Sequence, residues 1–137
     1  MMRPQLGSAP VHEVLTSSDF ATASAASRAS WTLAALAVAK SELVKTSWTG
    51  GDPNWGRIMC ALGYSGARVR EEMVEIFYDG LCAVVNGQPS KTPLAKLRKL
   101  VRQPKFTITL QLHAGTGEYG ILTTDLTEEY VRINLGE

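Results

Sequence analysis

Asp79-Gly80 stands between two runs of strand-forming residues, Met73-Val74-Glu75-Ile76-Phe77-Tyr78 and Leu81-Cys82-Ala83-Val84-Val85. A two-residue connection of this composition predicts a tight hairpin: both turn positions take positive φ, and glycine does so without a Cβ penalty. Asn86-Gly87 closes the second run. Further on, Phe106-Thr107-Ile108-Thr109-Leu110-Gln111-Leu112 alternates apolar with polar residues, Gly115 and Gly117 turn the chain, and residues 119–124 run back. That pattern predicts a second antiparallel hairpin with one wet face. A sheet of this kind needs cover on its apolar side.

Helical spacing supplies the cover. Phe20, Ala23, Ser27, Trp31, Ala34 and Val38 recur every three or four residues, which predicts an Ala-rich amphipathic helix capped by Ser18 or Asp19 and ending near Lys40. Residues 42–48 read as a short extended run. Asp52 before Pro53 reads as the start of a second helix, because the carboxylate can accept backbone N–H groups and the proline fits the first turn. That helix presents Ile58, Met59, Ala61 and Leu62 and stops by Gly63 or Gly66. Thr92-Pro93 opens a third helix through about Arg102, with Leu94, Leu97 and Val101 on one face, and Pro104 ends it. Residues 125–130 suggest one helical turn and residues 131–134 a last short strand. The expectation is an α+β fold, an antiparallel sheet covered on one side by helices. Residues 1–17 read as a poorly ordered lead, or as the remnant of a strand at residues 11–15, and residues 18–137 as the domain.

Composition removes several function classes. A chain of 137 residues with 45% hydrophobic content can build one core. Its 14 basic and 13 acidic residues leave a formal charge of +1, so no global field calls for nucleic acid or an anionic membrane. Lys91, Lys96, Arg98, Lys99, Arg102 and Lys105 form a local basic stretch, best read as a solvated helix face. The start of the chain lacks the apolar core of a secretion signal, and residues 31–39 are too short to span a bilayer, so a cytoplasmic setting is expected. Cys60 and Cys82 sit among apolar neighbours and read as buried, reduced thiols. His12 and His113 have no serine or cysteine signature near them, and the glycine pairs lack P-loop spacing. The residues alone therefore offer no catalytic set, no metal site and no nucleotide site.

Four strings in order carry a resemblance. They are Ser41-Glu42-Leu43-Val44-Lys45-Thr46; Gly51-Asp52-Pro53-Asn54-Trp55-Gly56-Arg57-Ile58; Gly63-Tyr64-Ser65-Gly66; and Thr124-Asp125-Leu126-Thr127 with Tyr130-Val131-Arg132-Ile133-Asn134. In order and spacing they resemble the C-terminal part of the β chain of the bifunctional ornithine acetyltransferase, or glutamate N-acetyltransferase, family of arginine biosynthesis. The resemblance implies the corresponding portion of that family's fold. It also implies a cytoplasmic enzyme cut into α and β chains, whose β-chain N-terminal threonine takes acetyl from N-acetylornithine and passes it to glutamate. No cofactor or metal is implied, although some members accept acetyl-coenzyme A as donor. The implied partners are an α chain, the remaining β-chain segment and the two small-molecule substrates, within a larger oligomer; neither nucleic acid nor membrane is among them.

The family's cleavage-site threonine and its Asp-Gly-Glu-Gly-Ala-Thr-Lys string have no counterpart here. Ala21-Thr22 matches the cleavage dipeptide only superficially, since it lies within the helical pattern and too near Lys45. No catalytic residue is therefore assigned. Asn134 is the one substrate-binding residue carried over, and the terminal Thr or Ser that accompanies it in the family is replaced by Leu135-Gly136-Glu137. The expected role is to supply structure and one substrate contact to an acetyltransferase whose nucleophile lies elsewhere. The alternative is a non-catalytic small-molecule-binding or assembly module derived from that family.

Overall fold

A computed structural model describes residues 11–19, 25–113 and 116–124. Their strands form one six-stranded sheet: β1 (Val11–Asp19), β2 (Glu75–Tyr78), β3 (Leu81–Val85), β4 (Gln88–Pro89), β5 (Lys105–Gln111) and β6 (Thr116–Thr124), in spatial order β4-β3-β2-β5-β1-β6. The first hairpin forms as expected. Tyr78 pairs with Leu81, and Asp79 (φ 47°) and Gly80 (φ 83°) make the turn. Asn86 (φ 52°) and Gly87 (φ 71°) repeat the arrangement between β3 and β4.

The second expected hairpin does not form. β1 lies between β5 and β6, parallel to β5 (Val11 opposite Lys105) and antiparallel to β6 (Val11 opposite Thr124). Alternation in residues 106–112 and the return of residues 119–124 mark β5 and β6 as strands, but neither carries information about which strand fills the space between them. Residues 11–15, read as a strand remnant or part of a loose lead, belong to a nine-residue strand in the sheet interior. Ser18 and Asp19 end that strand and so do not cap α1 (Ala25–Lys40). The fold remains α+β: every described pairing except β1 with β5 is antiparallel.

Residues 42–48, read as extended, are helical. Ser41 is extended at φ −67°, ψ 114°, and its hydroxyl accepts the N–H of Val44 at 3.3 Å, which starts α2 (Glu42–Thr49). Val44, Ser47 and Trp48 are then buried at helical spacing. The cap and this stripe outweigh the strand preference of Val44 and Thr46. α3 (Trp55–Gly63) begins two residues later than expected, with Asn54 rather than Asp52 as its cap: the Asn54 side-chain oxygen accepts the N–H of Arg57 at 3.2 Å. Asp52 instead accepts a bond from the Asn54 amide at 3.2 Å. α4 (Leu94–Val101) follows Pro93 as predicted, though Leu94 is exposed and Leu100 joins Leu97 and Val101 inside.

The inner alternation of β5, Phe106, Ile108 and Leu110, meets Ile76 and Tyr78 of β2 and the buried residues of all four helices in one core. Trp48 of α2 meets the edge of Phe106 at 5.4 Å, and Tyr78 lies 6.4 Å from the same ring. Ala34, Ala35, Val38 and Ala39 of α1 are buried, so the alanine stripe serves close packing. At its far end the Thr123 hydroxyl of β6 donates to the Ala39 carbonyl at 2.9 Å. Among the described residues no helix is long and apolar enough to cross a membrane.

Candidate functional site

Two of the four family-like strings, Ser41 to Thr46 and Gly51 to Ile58, converge on the corner between α2 and α3. Ser41 caps α2, and Gly50 and Gly51 reverse the chain as their N–H groups donate to the carbonyls of Thr46 and Trp48. The Asp52 N–H returns to the Ser47 carbonyl at 2.9 Å. Gly51 takes φ 68°, and a Cβ there would sit 3.0 Å from Nε of Arg102, so the end of α4 closes over the turn. Arg57 completes the corner. Its Nη1 donates to the Leu43 carbonyl at 2.7 Å and reaches the Thr46 hydroxyl at 3.4 Å, tying the first turn of α3 to α2. These polar groups largely bond one another, which suits a rigid support better than a reaction centre.

Beneath the corner lies Tyr78, fully buried, whose hydroxyl has no hydrogen-bond partner among the described residues. Burial, and secondarily the negative charge of Asp52, push its pKa well above the ordinary phenol value. Tyr78 therefore stays neutral at physiological pH, and it is too enclosed to exchange a proton with a ligand.

The other singled-out residues do not form a site. His113, at φ 52°, contacts Glu75 of β2 through Nε2 at 2.7 Å, both side chains being largely buried. Neither belongs to a possible metal cluster, since the described residues contain no group of three His, Cys, Asp or Glu that could hold an ion. Cys60 is exposed and Cys82 only half-buried, contrary to the expectation of two buried thiols; both are free. On α3 the core-facing positions are Ile58, Ala61 and Leu62, so Cys60 falls on the outer side. For Cys82, burial and the charge of Glu75 raise the thiol pKa against the opposing effect of hydrogen bonding with Ser90 and Val84. A thiol held protonated in this way is a poor nucleophile.

The basic residues around α4, Lys91, Lys96, Arg98, Lys99, Arg102 and Lys105, are exposed, as a solvated face requires. The backbone of His12 pairs within β1 between Phe106 and Thr123. Its side chain, Ala21-Thr22 and Asn134 lie outside the described residues.

Sequence reading missed the Arg57 tie, the buried Tyr78 hydroxyl and the Glu75–His113 contact. The first had a signal, because Arg57 closes the Asp52-Pro53-Asn54-Trp55-Gly56-Arg57 string. The contact between residues 75 and 113 had none, since it depends on the pairing of β2 with β5.

Comparison with known proteins matches both sequence and fold. The profile of the ArgJ family matches residues 17–136. The arginine biosynthesis bifunctional protein ArgJ of Geobacter sulfurreducens is 44% identical over 102 residues, covering 74% of this chain and 26% of that protein. The mitochondrial protein of the same name from Schizosaccharomyces japonicus is 35% identical over 116 residues, covering 80% and 27%. The crystal structure of arginine biosynthesis bifunctional protein ArgJ from Bacillus halodurans superposes with a TM-score of 0.81 at 32% identity, covering 96% of this chain and 59% of that one. This chain thus spans about a quarter of the length of the curated relatives it matches. With the profile running over nearly the whole sequence and the fold agreeing, the chain belongs to the ArgJ family.

Proposed function

We propose that this chain is the C-terminal part of an acetyltransferase of arginine biosynthesis, which moves acetyl from N-acetylornithine to glutamate through a threonine acyl-enzyme whose nucleophile lies outside this chain. The observation that carries the reading is the family match over residues 17–136. In the proposed reaction the threonine hydroxyl loses its proton to a nearby base and attacks the acetyl carbonyl; the C–N bond breaks, and ornithine leaves with the proton. The glutamate amine then attacks the ester, takes the acetyl group and frees the hydroxyl. Acetyl-coenzyme A could supply the same ester in place of N-acetylornithine, and no metal takes part.

This chain's share would be support and one ligand contact. The capped α2–α3 corner and the sheet would hold a wall of the site, and Asn134, outside the described residues, would bond the substrate through its amide. An amide both donates and accepts, which suits a ligand carrying a carboxylate and an acetamide. The partners would be the α chain and the rest of the β chain, in a cytoplasmic oligomer.

The test is acetyl transfer from N-acetylornithine to glutamate, measured on the purified chain and on the chain co-expressed with the remainder of an active relative. The expected result is no turnover alone and turnover when complemented. Turnover by the chain alone would refute an outside nucleophile. Complementation that succeeds equally with Asn134→Ala would remove the substrate contact. A stable complex without turnover would favour the second reading, an assembly or small-molecule-binding module without catalysis, which is suggested by the internally bonded corner.

A further inference from the structure

On the outer side of α3 a groove of about 390 Å³ opens between the helix and the segment that follows it, lined by Met59, Cys60, Gly63, Ala67 and Val69 among others. Tyr64, next in sequence to the lining residue Gly63, is 64% exposed, and Leu33 of α1, 42% exposed, adjoins Gly66, which precedes the lining residue Ala67. Single exposed apolar side chains are ordinary on a protein surface. Here they fall together, and Glu71 of the lining with the exposed Arg68, Arg70 and Glu72 near it in sequence brings charges of both signs to the same stretch. An apolar centre within a polar rim is the anatomy of a protein–protein contact.

The relatives say how much polypeptide is available to cover it. About three quarters of the Geobacter sulfurreducens protein and two fifths of the matched Bacillus halodurans chain have no counterpart here. A surface that such a protein buries against its remainder is left bare on this part. The lining residue Gly63 also opens Gly63-Tyr64-Ser65-Gly66, a family-like string that the α2–α3 corner does not use.

We propose that this groove is the seat of the remaining ArgJ polypeptide, with Tyr64 and Leu33 as its apolar anchors and Cys60 covered on assembly; the assignment rests on the reading of this chain as part of a larger acetyltransferase. An aromatic anchor flanked by an aliphatic residue and a shallow pocket is suited to carry most of the contact energy. The partner surface should present apolar side chains to Tyr64 and mixed charges to the rim.

The experiment co-expresses the intact chain with the tagged segment of the Geobacter sulfurreducens relative that has no counterpart here, under conditions in which that segment captures its own C-terminal part. N-ethylmaleimide labelling of Cys60 is followed by peptide mass spectrometry, with Cys82 as the internal reference. The expected result is capture of the chain, Cys60 labelling slowed about tenfold or more relative to the free chain, and Cys82 labelling unchanged. Tyr64→Asp and Leu33→Asp should abolish capture while leaving the thermal midpoint of the free chain within a few degrees. Capture with Cys60 still reactive would overturn the groove assignment and leave the partner reading standing, whereas no capture would overturn both. Cys60 protected in the dilute free chain would mean that a segment of this chain fills the groove. Protection that appears only as the free chain is concentrated would mean a second copy fills it, and either result overturns the proposal.

Discussion

Two turns of the same local type behave differently once the chain is folded. Asp79-Gly80 and Asn86-Gly87 each place two residues at positive φ and each reverse a strand. Around Gly80 a Cβ would meet nothing within 4 Å. The corresponding atom at Gly87 would strike the backbone carbonyl of Glu71, and the Gly87 N–H donates to the Val74 carbonyl at 3.0 Å. The first turn needs glycine for its dihedral alone. The second needs it because the 3-10 turn Glu71–Met73 packs directly on it. Asp79 anchors the first turn from the side instead: its carboxylate accepts the Thr107 N–H at 2.7 Å, and its own N–H donates to the Thr107 carbonyl at 2.8 Å. Identical turn chemistry can therefore be locally sufficient or tertiarily enforced.

The sharpest test of that contrast is Gly87→Ala against Gly80→Ala. Both carry the strain of an L-residue at positive φ, about 1 kcal/mol, and Gly87→Ala adds a backbone collision that no side-chain rotation relieves. Urea unfolding should show a loss of about 3 kcal/mol or more for Gly87→Ala and about 1 kcal/mol for Gly80→Ala. Equal losses would break the comparison and show that Glu71 moves aside freely.

The helix starts extend the contrast from turns to caps. Asn54→Ala should cost about 1 kcal/mol, because it removes the acceptor for the Arg57 N–H, while Asp52→Ala should cost about half of that or less. The reverse order in unfolding midpoints would return the cap to Asp52. Arg57→Met removes a bond between elements rather than within one. It should cost about 1 kcal/mol, discounted for exposure, and that loss should be much smaller in a chain where Lys45→Pro has already removed the Lys45 N–H bond to the Ser41 carbonyl that closes the first turn of α2.

The smallest effect at neutral pH belongs to Tyr78→Phe. A buried hydroxyl without a described partner contributes no bond, so the change should alter stability by about 0.5 kcal/mol or less, or raise it slightly. Alkaline pH should separate the two proteins. The native phenol pKa lies above its unfolded value of about 10, so above that pH the unfolded chain binds fewer protons and stability falls by up to about 1.4 kcal/mol per pH unit. The Phe variant lacks this term. Its unfolding free energy should therefore decline less steeply between about pH 10 and 11.5, and parallel curves would show that Tyr78 titrates normally.

The sequence by itself determined the elements whose reasons are local. The Asp79-Gly80 and Asn86-Gly87 turns, α4 after Pro93, the alternation of β5 and the α+β class all follow from spacing, turn residues and caps within a few positions. Family membership was legible in the same way, because it rests on strings in order. Local signals also misplaced some boundaries: Asp52 and Asn54 are both good caps, and only packing selects between them. Ser41 likewise decides that residues 42–48 form a helix once Val44 and Trp48 have a core to enter.

Tertiary structure alone decided the partner of each strand. β1 separates β5 from β6 because a strand more than 80 residues upstream in sequence fits parallel to one and antiparallel to the other. No periodicity encodes that choice, since the energy that selects it lies in ladder bonds and burial shared among distant segments. The same physics brings Arg57 to the Leu43 carbonyl, places Tyr78 beneath Asp52, and leaves Cys60 and Tyr64 outward beside a groove. A residue's type limits what it can bond, and only the assembled core determines what stands within its reach.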